Sequence, residues 1–200
     1  WVHAVYSTSG DAADELARRA GPLGRRLTLH RADARDPAAL MALCVALEAN
    51  GEQVSGLVLA AAPPPIPMGV TAQAAAGIAD YVARSVALVA TPLGAFLPVL
   101  SSDAFVVFCS SAALAAPPRD WPHYAAAKGG IEGLARWTAA AEPALRCVVA
   151  RLPKMLTDMT NSPGARLDAL APDGVAGRLV DRLEADTGRP GLTILEPEEL

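Results

Sequence analysis

Short apolar runs rich in β-branched residues alternate along the chain with longer segments in which apolar and polar positions recur at helical spacing. The runs predict six strands, at residues 1–7, 26–32, 56–62, 104–110, 145–151 and 191–195. The longer segments predict helices near 11–20, 37–49, 71–98, 122–140 and 173–185, which are long enough to connect parallel strands. We therefore expect an α/β fold, a doubly wound parallel sheet with helices on both faces.

Prolines refine this assignment at three places. Asp36 and Pro37 predict a helix cap followed by the first helical residue. The proline-rich run at 63–67 cannot pair as a central strand and predicts a loop leaving the sheet. Pro92 lies within the longest helical segment, which we expect it to kink or split.

The size and charge of the chain limit its architecture and its partners. Its 200 residues, 52% of them hydrophobic, predict a single domain over residues 1–200 with one sizeable core. The first residue, Trp1, already lies in a predicted strand, so we expect this domain to be a piece of a longer protein. A net charge of −4 with dispersed basic residues argues against nucleic acid or an anionic membrane as a partner.

The three cysteines indicate buried thiols. Cys44, Cys109 and Cys147 are odd in number, lie far apart in apolar runs and lack metal-ligand spacing. Free thiols are typical of a reducing compartment, and no uninterrupted apolar run reaches the roughly 18 residues of a spanning helix. We expect a cytoplasmic protein without a bound metal.

One pair of residues has the chemistry of an acid catalyst. Tyr124 and Lys128 are four residues apart in the predicted helix at 122–140, so they share one face of it. A nearby cation stabilises phenolate and lowers the pKa of tyrosine toward a value useful for proton transfer. Ser111 follows the preceding strand, where its hydroxyl can orient a carbonyl oxygen that Tyr124 then protonates.

Nearly the whole chain resembles the short-chain dehydrogenase/reductase superfamily. The resemblance rests on the serines 110 and 111 at a strand end, the segment from Tyr124 to Lys128 with two glycines after it, and the strand leading to Arg151, Leu152 and Pro153. It implies a Rossmann sheet carrying a nicotinamide cofactor. It further implies that Tyr124 is the proton donor, that Ser111 holds the carbonyl, and that Lys128 binds the nicotinamide ribose.

The resemblance also implies further positions of the site. The family's helix asparagine, which holds a proton-relay water, aligns with Ser85, and the threonine that meets the nicotinamide carboxamide aligns with Thr157. The family position that contacts the adenine ring aligns with Asp33, for which a solvated loop carboxylate or a helix cap is the alternative. The remaining expected cofactor-binding positions are Ser7, Ala60, Ala61 and Pro153.

The chain departs from the family pattern in several places. The glycine-rich turn that follows the first strand has no counterpart: glycines 21 and 24 follow a helix, and glycines 129 and 130 lie inside one. We infer that the first βα unit is missing from this chain. Residues 59–62 also depart from this pattern, because Leu59, Ala60, Ala61 and Ala62 stand where Asn-Asn-Ala-Gly is usual. The lid segment at 161–172 is short, which implies an open site.

These observations favour an NAD(P)H-dependent carbonyl reductase. Residues 7–9 offer hydroxyls and no carboxylate for the ribose 2′-OH of NAD, which favours NADP(H). The open site suggests a ketoreductase-like module of a polyketide or fatty-acid-type synthase, next to other synthase domains and acting on a β-ketoacyl thioester held by a carrier protein. The alternatives are a degenerate structural or docking domain, and an isomerase or dehydratase on the same scaffold. The sequence favours neither a homodimer nor a monomer.

Overall fold

The computed structural model describes residues 1–21, 26–157, 166–186 and 189–200. The strands are β1 (Val2–Tyr6), β2 (Leu27–Arg31), β3 (Val54–Leu59), β4 (Leu100–Ser111), β5 (Arg146–Leu152) and β6 (Gly191–Leu195). The helices are α1 (Gly10–Ala20), α2 (Pro37–Ala49), α3 (Ala75–Phe96), α4 (Pro122–Ala141) and α5 (Pro172–Ala185). Each predicted strand and helix is therefore confirmed, with shifted ends.

The described residues form two compact units, one comprising Trp1–Gln53 with Thr91–Val99 and the other Val54–Ala90 with Leu100–Leu200. In the first unit β1 pairs with β2 in parallel, from Val2 opposite Leu27 to Tyr6 opposite Arg31. Helix α2 begins as predicted, because the Asp36 carboxylate accepts hydrogen bonds from the backbone N–H groups of Ala38 and Ala39. The expectation of a single domain stays a prediction.

The second unit contains a four-stranded parallel sheet in the order β3-β4-β5-β6. Successive side chains of a strand point to opposite faces. On one face, Val107 of β4 and Val148 of β5 pack with Val175 of α5. On the other face, Ser110 of β4 and Arg151 of β5 contact Glu132 of α4. Helices thus cover both faces, as the sequence predicted.

Two strand boundaries differ from prediction. Strand β4 begins at Leu100 rather than at residue 104, because Leu100 pairs with Val54 ahead of a register shift. Strand β3 ends at Leu59 rather than at residue 62, which leaves Ala60 and Ala61 in the loop. The pairing of β3 with β4 ends at Leu59 opposite Phe108, so residues 60–62 lie outside the sheet.

Close packing at Gly56 holds β3 against β4. Gly56 lies opposite Phe105 in the register, and a Cβ atom on Gly56 would come within 2.3 Å of the Phe105 ring. Only glycine leaves room for the ring over this strand pair.

The predicted break at Pro92 is wrong as far as a split is concerned. Helix α3 continues from Ala75 to Phe96 with Pro92 inside it. A proline lacks one backbone N–H group, so it removes one hydrogen bond of the helix. Pro92 lies close to the end of α3, where few further hydrogen bonds follow it. The predicted loop at 63–67 is confirmed, since residues 60–69 form neither helix nor strand.

Helix α3 and the turn after it, Ala75–Val99, make the one helix in the described ranges that is long and apolar enough to cross a membrane. Its most apolar window has a mean hydropathy of 1.6 and is 28% buried. A single helix of this kind is weak support for a span, because core helices of globular proteins pass the same test.

All three cysteines are free and buried, which confirms the sequence-based prediction. Burial raises the pKa of each thiol, and raises that of Cys147 to about 11. A raised pKa disfavours the thiolate, which is the reactive form of cysteine.

Candidate active site

The predicted acid and its neighbours lie where β4 ends and α4 begins. The Ser111 hydroxyl accepts a hydrogen bond from the Ala113 N–H at 3.2 Å, which fixes it at the start of a short 3₁₀ turn. Helix α4 starts with Pro122 at its first position and presents Tyr124 two residues later. The structure therefore brings Ser111, Tyr124 and Lys128 together, as the sequence predicted.

Lys128 is buried and its ammonium is bound to the backbone. Its Nζ donates a hydrogen bond to the carbonyl oxygen of Cys109 at 2.7 Å and lies 5.6 Å from the centre of the Tyr124 ring. Burial lowers the pKa of Lys128. The ammonium thus binds the end of β4 and lies over the ring of Tyr124.

The pKa of Tyr124 runs opposite to the expectation from sequence. Burial raises this pKa, and the Ser111 hydroxyl acts against the rise. The phenol is only 8% exposed, since Trp121 packs edge-on at 5.6 Å between ring centres. Burial favours the neutral phenol more than the nearby groups favour phenolate.

Ser85, the predicted holder of a relay water, is buried in α3. Its hydroxyl donates to the carbonyl oxygen of Tyr81 at 2.8 Å, one turn earlier in the same helix. This bond occupies the only proton of the Ser85 hydroxyl, and its lone pairs remain for a donor.

Tyr81 and His123 are buried beside the site, and neither was among the site residues expected from the sequence. The Tyr81 hydroxyl donates to the Pro63 carbonyl oxygen at 3.0 Å, and burial raises its pKa to about 12. The His123 ring packs edge-on against Tyr81 at 4.5 Å, and neither ring nitrogen has a hydrogen-bond partner among the described residues. Burial lowers the pKa of His123, so its imidazole is neutral. The signals in the sequence were the position of Tyr81 four residues before Ser85 and the position of His123 next to Tyr124.

A buried ion pair lies one turn beyond Lys128 on α4, and sequence reasoning missed it as well. The carboxylate of Glu132 accepts from Nε and Nη2 of Arg151, both at 2.9 Å, and from the hydroxyl of Ser110 at 2.8 Å. Arg151 also donates to Glu196 at 2.8 Å. Arg151 holds the pKa of Glu132 below its usual range. The four-residue spacing from Lys128 was the available signal.

Of the expected cofactor positions in the second unit, Ala60 and Ala61 are exposed just after β3. Pro153 and Thr157 follow β5, with the Thr157 N–H bonded to the Met155 carbonyl oxygen at 3.0 Å. The part of the predicted lid that the structure describes pairs with this segment: the Leu170 N–H donates to the Lys154 carbonyl oxygen at 2.9 Å. Residues 161–165 of that lid lie outside the described residues.

The other two expected cofactor positions lie in the first unit. Ser7 is exposed after β1. The Asp33 carboxylate accepts from the backbone N–H and the guanidinium of Arg35, at 2.7 to 3.0 Å, which lowers its pKa to about 2. Asp33 is thus a loop carboxylate that already has a cation. Gly24, which the sequence places after a helix rather than after a strand, lies outside the described residues.

The fold and the site together define a class. Parallel strands flanked by helices carry serine, tyrosine and lysine to the carboxyl end of the sheet, which is where open α/β folds of the Rossmann type bind ligands. The sequence profile of the short chain dehydrogenase family matches residues 2–167. The chain therefore belongs to the short-chain dehydrogenase/reductase family of oxidoreductases, whose members bind nicotinamide cofactors.

Solved structures with this fold are similar in shape and distant in sequence. A mutant short-chain dehydrogenase/reductase from Serratia marcescens is 18% identical with a TM-score of 0.79, covering 96% of this chain and 85% of that one. A dehydrogenase/reductase from Sinorhizobium meliloti is 18% identical with a TM-score of 0.79, covering 99% and 84%. An alcohol dehydrogenase from Thermococcus sibiricus, complexed with 5-hydroxy-NADP, is 15% identical with a TM-score of 0.78, covering 99% and 86%. A search of the curated proteins finds no match.

Proposed function

We propose that this protein is an NAD(P)H-dependent carbonyl reductase in which Tyr124 protonates the oxygen of a ketone. The observation that carries the proposal is the position of Ser111 at the end of β4 and of Tyr124 in the first turn of α4, with the buried ammonium of Lys128 5.6 Å from the centre of the Tyr124 ring. Both hydroxyls can reach one carbonyl oxygen, which is the geometry that proton transfer to that oxygen requires.

The reduction divides between the cofactor and these side chains. A reduced nicotinamide held by Tyr124 and Lys128 would supply the hydride to the carbonyl carbon. The Ser111 hydroxyl donates to the carbonyl oxygen and orients it, and Tyr124 gives that oxygen its proton, so the product is an alcohol. The charge of Lys128 then stabilises the phenolate that remains until solvent protonates it.

The residues at the strand ends fit the nicotinamide half of a cofactor. Tyr124 and Lys128 supply the hydroxyl and ammonium for a ribose, and the exposed Ala60 and Ala61 lack the side-chain bulk that would keep a cofactor from the backbone. NADP(H) is proposed over NAD(H) because Ser7, at the end of β1, offers a hydroxyl where a carboxylate would repel a 2′-phosphate.

For the substrate we propose a β-ketoacyl thioester presented by a carrier protein, as in a polyketide or fatty-acid-type synthase. The support is the short segment at 161–172, because a substrate on a long arm needs an open site. Neighbouring synthase domains, a cytoplasmic location and a homodimer belong to the same proposal.

A second candidate is a degenerate domain kept for structure or docking. Two observations favour it: the Lys128 ammonium is already bound to the Cys109 carbonyl, and the net effect on the Tyr124 pKa is upward. Under this alternative the three side chains hold β4 against α4 and perform no chemistry.

The test is NADPH oxidation by the full-length protein with a short β-ketoacyl thioester, comparing wild type with Tyr124→Phe. We expect turnover to fall at least about a hundredfold in the variant, since general acid catalysis contributes 10² or more. The matched control is Tyr6→Phe in β1, which should keep full activity. Absence of NADPH binding and of turnover with several ketones would refute the reductase and favour the degenerate domain.

A further inference from the structure

Three polar side chains of α4 contact three consecutive residues of β4. Tyr124, Lys128 and Glu132 follow one another at intervals of four residues, so they form one stripe along the helix. Tyr124 interacts with the Ser111 hydroxyl, Lys128 donates to the Cys109 carbonyl oxygen, and Glu132 accepts from the Ser110 hydroxyl. The first two belong to the site described above, and the third lies outside it.

Glu132 is held more rigidly than either of the other two. Ser110 and Arg151 are directly opposite in the register of β4 and β5, and both donate to the one carboxylate. Arg151 uses two nitrogens, which fixes the angle as well as the distance. The carboxylate therefore joins α4 to two neighbouring strands through a single geometry.

The apolar contacts of α4 do not fix its position against β4 and β5 in this way. The buried apolar residues on the same helix include Ala127, Ile131 and Ala135. Contacts of methyl and methylene groups are not directional, so they leave the position of a helix along its own axis loosely defined. A buried ion pair is costly to desolvate and is a poor source of stability, which makes specificity of position the better reason for its presence.

We propose that Glu132 is a positioning residue, which acts through Arg151 and Ser110 to fix α4 along the ends of β4 and β5 and thereby keeps Tyr124 within reach of Ser111. The inference rests on the proposed function. Glu132 lies two turns from Tyr124, about 12 Å along the helix at 1.5 Å per residue, so it touches neither substrate nor cofactor.

The test uses two variants that change the carboxylate by little. Glu132→Asp keeps the charge and withdraws it by one methylene, and Glu132→Gln keeps the length and removes the charge. The matched control is Glu15→Gln, which breaks an exposed ion pair with Arg18 on α1. Should Glu132→Gln fail to fold because Arg151 is left with Glu196 alone, Glu132→Asp still decides the question.

The first readout needs neither cofactor nor substrate. Fluorotyrosine in the full-length protein gives a fluorine NMR resonance for Tyr124, which is assigned by its loss in Tyr124→Phe. We expect this resonance and its pH midpoint to shift in both Glu132 variants and to stay in place in the control. An unchanged resonance and midpoint in the folded variants, even with a lower melting temperature, would overturn the proposal, because Glu132 would then be merely structural.

The second readout is kinetic. Misplacement of a reacting group by about 1 Å costs up to about a hundredfold in rate, so we expect kcat to fall tenfold to a hundredfold while the dissociation constant for NADPH stays unchanged. An unchanged kcat in a variant with a shifted resonance would overturn the role in catalysis. If wild-type protein shows no turnover at all, the proposed function fails, and the fluorine readout still decides whether Glu132 positions Tyr124.

Discussion

The buried pair of Arg151 and Glu132 predicts a large and pH-dependent loss of stability in Arg151→Met. Methionine keeps much of the apolar stem of arginine and removes the guanidinium. It leaves the Glu132 carboxylate, whose side chain is 8% exposed, with the Ser110 hydroxyl as its remaining partner among those described. An ionised carboxylate so buried is costly, since it has lost most of its solvation.

The magnitude follows from the exposure of the two partners. Removing one member of a fully buried pair costs 3–5 kcal/mol, and Arg151 is 24% exposed, so we expect a loss near the lower limit, about 3 kcal/mol at neutral pH. For a domain of this size each kcal/mol lowers the melting temperature by about 2–4 °C, which gives a decrease of about 6–12 °C.

The sign of the pH dependence follows from the pKa of Glu132. Arg151 holds this pKa below its usual value of 4.5, so in wild type the pair contributes stability above pH 4.5 that is lost as the pH falls through the lowered pKa. In Arg151→Met the pKa of the buried carboxyl rises, and protonation relieves its cost. The difference between variant and wild type should therefore be largest at neutral pH and shrink in acid.

Urea unfolding of the full-length protein, followed by circular dichroism at several pH values, measures this difference. The control is Arg182→Met, which breaks the more exposed pair with Glu199 and should cost about 1 kcal/mol or less. A double-mutant cycle with Glu132→Gln isolates the coupling between the partners. Equal losses in Arg151→Met and Arg182→Met, or a loss that does not vary with pH, would refute the reasoning.

Two further predictions concern buried groups elsewhere in the second unit. Because burial lowers the pKa of His123 from 6.5, wild type should lose stability as the pH falls below that value; His123→Phe should remove this loss, and urea unfolding at neutral and acidic pH checks it. A flat profile in wild type would contradict it. Gly56→Ala should cost about 1–3 kcal/mol by overpacking against the Phe105 ring. Thermal unfolding measures that cost, and if Phe105→Leu in the same chain restores no stability, the clash is not its cause.

Much of the local structure followed from the sequence. The six strands and five helices were visible because burial on a sheet and on a helix leaves different periodicities, and each is set by residues close together in the chain. The approach of Tyr124 to Lys128 followed from helix geometry alone, and that of Ser111 followed because parallel strands end at a common edge. These features depend on short-range order, which sequence patterns record directly.

Other features depended on packing between distant segments. The end of β3 was misjudged because it is decided by pairing with β4. The split of α3 that we allowed for at Pro92 does not occur, because proline removes few hydrogen bonds of the helix. The rise in the pKa of Tyr124 was also not predictable from the sequence. The sequence showed the nearby cation of Lys128, which lowers such a pKa, but not the burial of the phenol by Trp121 and other residues, which raises it.

The ion pair of Glu132 and Arg151 shows the division most clearly. The sequence determined that Glu132 shares a helix face with Tyr124 and Lys128. Only the tertiary structure decided that this face meets the strand ends at the point where Ser110 lies opposite Arg151. If β4 slipped by one residue against β5, Ser110 and Arg151 would point to opposite faces of the sheet, and no local pattern fixes that register.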